Sequence, residues 1–120
     1  MIAAKEKVLS FLDTVVSEGG SDLHLSSGSH PIIRVSGALV PLVHHDKLTL
    51  TDTEAMLKAI LPDDRWDIFV TEQSIDFSYA HTDGARFRVN GYMTGGTIAV
   101  AMRLIPKQIR TFTELNLPPV

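Results

Sequence analysis

The chain has 120 residues, 44% of them apolar and 21% charged, with no cysteine and a formal net charge of −3. This is the length of one domain with a globular composition, and it excludes long disorder, a disulfide scaffold, a thiolate metal site and a cysteine nucleophile. The charge argues against a general nucleic-acid binder, no apolar run reaches the roughly 20 residues of a bilayer helix, and the first residues lack a signal peptide's basic-then-apolar layout, so we expect a soluble intracellular protein.

Residues 3–18 carry Val8, Leu9, Phe11, Leu12, Val15 and Val16 at three- and four-residue spacing, which predicts an amphipathic helix ended by Gly19-Gly20. In residues 22–26 Leu23 and Leu25 alternate with Asp22 and His24, the pattern of a strand. After a turn at 27–31 come two short strands, 32–35 and 38–40, joined at Ser36-Gly37 as a tight hairpin, and then a polar loop, Val43-His44-His45-Asp46-Lys47. Thr51 and Glu54 have the spacing of a capping box, which starts a helix at Asp52 with Met56, Leu57, Ile60 and Leu61 as its buried stripe. Pro62 ends that helix or opens the next, which runs to about Thr71 with Trp66, Phe69 and Val70 turned inward. Three further strands follow, at 74–80, 85–93 and 98–105, the first two separated by a turn at Thr82-Asp83-Gly84 and the last two by Gly95-Gly96. Residues 109–120 read as a linker after a domain spanning 1–108. The order predicts an α+β fold, an antiparallel sheet of about six strands with about three flanking helices.

Charge is unevenly placed. Residues 1–83 sum to −7 and residues 84–120 to +4, the latter holding Arg86, Arg88, Arg103, Lys107 and Arg110 against Glu114 alone. A two-residue turn at Gly95-Gly96 pairs residues whose numbers sum to 191, which sets Arg88 directly opposite Arg103, with Arg86, Asn90 and Tyr92 on the same face beside the small Ala99 and Ala101. Like charges directly opposite each other destabilise a sheet, and an arginine pair is well made to hold an anion between its N–H forks. Two readings stand at this point. The arginines form an oxyanion clamp, for phosphate above all, or they are neutralised by internal carboxylates such as Asp76 or extend into water.

Other candidates carry less. Adjacent His44 and His45 on a strand would face opposite ways, and no third metal ligand is spaced to join them. Asp22, His24 and Ser26 share a strand face but lack the surroundings of a nucleophilic serine. No G-x-x-x-x-G-K-[ST] phosphate loop occurs in the chain, so it is not expected to be an enzyme alone.

Five blocks in order carry a resemblance: Ser21-Asp22-Leu23-His24-Leu25-Ser26, Pro31 to Gly37, Ile75 to Tyr79, Arg86-Phe87-Arg88-Val89-Asn90, and Arg103-Leu104-Ile105-Pro106 with Glu114 to Pro118. Together they resemble the N-terminal domain of the type IV pilus retraction ATPases, within the wider family of pilus and type II secretion ATPases. The resemblance implies a PAS-like domain followed by a RecA-like ATPase domain that carries the Walker A loop. It further implies a hexameric motor at the cytoplasmic face of the inner membrane, docked on the pilus inner-membrane platform, using ATP and Mg to drive pilus disassembly and twitching motility. The fragment itself is expected to be a monomer or weak dimer without tightly bound cofactor and without a nucleic-acid partner. Family arginines that reach nucleotide phosphates match Arg88 and Arg103, which favours the clamp. The Ser-Asp-Leu-His-Leu block begins about twenty residues from Met1, which favours the retraction type, while His30 and Ser36 stand where the family often has Pro and Asp. The alternatives are a domain of a pilus extension or type II secretion ATPase, a free-standing PAS-like ligand sensor, or a protein-interaction module whose acidic part docks a basic partner.

Overall fold

In the computed structural model, which describes residues 3–81 and 84–106, the first apolar stripe winds into helix α1 (Ala4–Ser17), burying Val8, Phe11, Leu12 and Val15. The chain then turns at Gly19, with φ +70°, into strand β1 (Gly20–Ser26). Gly20 itself is required by close approach, because a Cβ there would come within 2.9 Å of the Arg34 carbonyl oxygen. Strands β2 (Ile32–Val35) and β3 (Ala38–Pro41) form the expected hairpin, with Ser36 and Gly37 both at positive φ, as a tight turn between twisted strands demands.

Helix α2 (Leu50–Ile60) begins two residues earlier than the sequence spacing predicts. Two overlapping frames offer a cap, and the chain uses Thr49 with Asp52 rather than Thr51 with Glu54. The Thr49 hydroxyl accepts the Asp52 N–H at 3.1 Å, and the Asp52 carboxylate accepts the Thr49 N–H at 2.9 Å. This frame lets Leu48 and Thr53 be buried, the Thr53 hydroxyl meeting Ser27 Oγ at 3.0 Å. Thr49→Ala is therefore expected to cost about 1 kcal/mol of stability, a normal loss for an N-cap, whereas Thr51→Ala should leave stability nearly unchanged; urea unfolding of the two variants checks this.

Helix α3 (Trp66–Glu72) is only two turns long. Phe69 is fully buried and Trp66 packs on it at 5.3 Å, but Val70 is 48% exposed, so the expectation that Val70 turns inward is corrected. With Trp66 and Phe69 on the inner side, the next residue is carried round to solvent. Strands β4 (Ser74–Ala80), β5 (Arg86–Thr94) and β6 (Thr97–Ile105) complete the sheet. Thr82 and Asp83 of the expected turn, the 109–120 linker and the Glu114–Pro118 block lie outside the described residues.

The six strands run in the order β3-β2-β1-β6-β5-β4, every neighbouring pair antiparallel. This is the α+β architecture expected from the sequence. Helices α1 and α2 pack together, α1 against β1 and α2 against β6. Their stripes meet Leu23, Leu25, Ile33, Phe87, Val89, Val100 and Met102 in one core. Because strand side chains alternate, the residues between these core positions all fall on the opposite face of the sheet. At one end of the sheet, buried His81 joins β4's exit to α1 through a 2.6 Å bond from Nε2 to the Asp13 carboxylate.

Candidate functional site

The β5–β6 hairpin adopts the register read from its turn. Arg88 lies opposite Arg103, Asn90 opposite Ala101 and Tyr92 opposite Ala99, with no bulge between them. Gly95 and Gly96 both take positive φ, which a side chain would resist, and this fixes the two-residue turn that sets the pairing. The alternate positions Phe87, Val89, Val100 and Met102 are buried, so the arginines are held on a strand pair anchored firmly from behind.

Strand β1 supplies what the hairpin lacks. It pairs with β6 so that Asp22 stands beside Arg103 and His24 beside Ala101, and with β2 so that Asp22 also stands beside Arg34. A register shift at Ser21 precedes Asp22, and the Ser21 hydroxyl donates to the Asp22 carboxylate at 2.6 Å. One row across the sheet therefore reads Arg34, Asp22, Arg103, Arg88, Ser78, and the next reads Ile32, His24, Ala101, Asn90, Asp76. Asp22, His24, Asp76, Arg88, Asn90 and Arg103 surround a shallow hollow of about 260 Å³ floored by Ala101.

The electrostatics of the row are asymmetric. Asp22 is buried, and its two carboxylate oxygens lie 4.0 Å from Arg34 Nε and 3.6 Å from Arg103 Nε. A buried carboxylate needs such partners, since an unpaired charge out of water is strongly disfavoured. Arg103 is nevertheless 77% exposed, so this pair adds at most about 1 kcal/mol to stability. Arg88 is exposed and has no ion-pair partner among the described residues. The two arginines differ in their surroundings. Asp22, not Asp76, balances Arg103, while Arg88 extends into water. Asp76 instead accepts from Asn90 Nδ2 at 3.0 Å.

A larger hollow of about 400 Å³ lies between α1 and the loop leading to α2. Its lining mixes Lys7 and Lys47 with Asp46, and its Thr49 and Asp52 are already engaged in the helix cap, so it presents no convergent chemistry. Of the loop's two histidines, His45 is a packing group, its ring meeting Phe11 edge-on at 4.9 Å and its carbonyl accepting from His30 Nδ1 at 2.7 Å, while His44 is exposed. Among the described residues no three His, Asp or Glu side chains gather as a metal site. Asp22, His24 and Ser26 share a face, yet no hydrogen bond links His24 to either. Nor is any described helix long and apolar enough to cross a membrane.

No family model matches the chain. The type IV pilus retraction ATPase PilT of Pseudomonas aeruginosa is 34% identical over 103 residues, which cover 86% of this chain and 30% of that protein. The type IV pilus ATPase PilU of the same organism is 27% identical over 109 residues, covering 91% of this chain and 28% of that one. The crystal structure of the pilus retraction motor PilT with bound ADP superposes with a TM-score of 0.82 at 29% identity, over 92% of this chain and 32% of its own. The chain spans about 30% of the length of the curated relatives it matches. It belongs to the PilT family of pilus and secretion ATPases, as the counterpart of their N-terminal region.

Proposed function

We propose that the chain is the N-terminal domain of a type IV pilus retraction motor, in which Arg88 and Arg103 face the phosphates of Mg·ATP held by a RecA-like ATPase domain. In this reading residues 1–108 form the domain and 109–120 lead into the ATPase domain. The chain carries no phosphate loop of its own, so it supplies charge and subunit contacts rather than the hydrolytic centre. The complete motor is a hexamer at the cytoplasmic face of the inner membrane, working against the pilus platform. The retraction type is supported by the 34% identity to a protein that is itself a retraction ATPase.

One observation carries the reading: two arginines directly opposed on the sheet face away from the core, one of them with no counter-ion among the described residues. A fold gains nothing from that pairing alone, because like charges in register repel. An anion between them removes the repulsion, and a guanidinium fork matches phosphate oxygens in two parallel bonds. Around a transferring phosphoryl group such cations offset the negative charge that would otherwise resist attack. ATP turnover by the complete protein, with Arg88 or Arg103 replaced, is the direct test; unchanged turnover in both well-folded variants removes the reading.

A further inference from the structure

We infer that Asp22 is a positioning residue for the anion clamp, holding Arg103 from behind so that its fork is ordered before the anion arrives; this rests on the reading of Arg88 and Arg103 as phosphate-facing. The Asp22 carboxylate is nearly buried, whereas Arg103 stands 77% exposed in front of it. The contact runs through Arg103 Nε at 3.6 Å, and no hydrogen bond occupies the terminal nitrogens of that arginine among the described residues. The same carboxylate reaches Arg34 through Nε at 4.0 Å, while Arg34 Nη1 donates to the Gly37 carbonyl at 3.1 Å. Asp22 is itself fixed by the Ser21 hydroxyl at 2.6 Å. A carboxylate beside an anion site has two opposed effects. It repels the incoming charge, and it removes rotamer freedom from the arginine that receives it. The carboxylate shares the hollow's face but is nearly buried, whereas the Arg103 fork stands 77% exposed and reaches past it into solvent, so the ordering effect prevails.

The experiment is side-chain NMR of the chain, following the arginine Nε–Hε groups while inorganic triphosphate is added. In the wild type without ligand, Arg103 is expected to be more ordered than Arg88, since only Arg103 is held; equal mobility of the two overturns the inference, whatever the variants do. Asp22→Asn keeps the shape and removes the charge. It is expected to make Arg103 as mobile as Arg88 and to weaken triphosphate binding roughly three- to tenfold, because the ordering of one long side chain is then met at binding. Asp22→Glu, which restores the carboxylate, should recover both the ordered signal and most of the affinity. Unchanged or tighter binding in Asp22→Asn overturns the inference while leaving the clamp intact. Triphosphate that moves neither Arg88 nor Arg103 in the wild type overturns the clamp, and the role of Asp22 with it.

Discussion

Arg88→Ala in the complete protein is expected to lower ATP turnover at least about a hundredfold, the lower end of what a lost transition-state donor removes. The same substitution should leave the stability of the domain within about 0.5 kcal/mol, because the side chain is exposed and forms no ion pair among the described residues. Relief of repulsion with Arg103 pushes the stability change slightly upward. Arg103→Ala should also lower turnover, but with a different signature. It deprives the buried Asp22 carboxylate of one of its two cations, so a loss of about 1 kcal/mol of stability accompanies the loss of activity. Arg88→Lys separates charge from geometry: a lysine keeps the cation without the fork and is expected to recover turnover only in part. Phosphate release together with urea unfolding distinguishes all three. An Arg88→Ala protein that hydrolyses ATP at the wild-type rate would leave the clamp without support.

The largest effect on stability is expected at Phe87. Its side chain, between Arg86 and Arg88 in the chain but on the opposite face of the sheet, is fully buried in the core on the helix side and edge-on to the His81 ring at 6.2 Å. Truncation to alanine should cost about 3–5 kcal/mol, the usual range for a buried phenylalanine. Set against the roughly 5–15 kcal/mol that stabilises an ordinary domain, this is about a fifth or more of the total. Equilibrium unfolding in urea measures it, with the midpoint expected to fall at constant slope. A loss under about 1 kcal/mol would mean that the sheet collapses around the vacancy far better than its strand anchoring permits. Tyr79, only partly buried and paired with Phe87 across β4 and β5, is expected to cost much less when truncated.

What the sequence discloses and what it hides follow from the range of the interactions involved. The opposition of Arg88 and Arg103 is readable because Gly95-Gly96 fixes the register of strands adjacent in the chain. The Ser36-Gly37 hairpin is readable for the same reason. The Asp22–Arg103 contact is not, because β1 and β6 are joined by no turn and their register is set only by packing within the finished sheet. Alternation places Asp22 and His24 on one face, and charge complementarity is the sole hint of which strand they meet. The start of α2 is missed for a different reason. Two capping frames overlap, and burial of Leu48 and Thr53, a tertiary effect, decides between them. Val70 is missed because a two-turn helix offers too few positions to define a face.

The strand order has a consequence for how the chain comes to be folded. Its central ladder joins β1 near the start of the sequence to β6 near residue 105, so the sheet has no middle until the last strand is present. During synthesis α1, the β1–β2–β3 ladder and α2 can form early, yet the edge of β1 stays open, a template for pairing with other chains until β6 arrives. Closing so long a loop is slow, and folding of such a topology lags behind that of a helical domain of equal size. Asp22 enters from the early half and both arginines from the late half, so the charge row assembles only at that final closure. A ribosome-bound chain ending before Thr97 would therefore display neither a protected sheet nor a complete charge row.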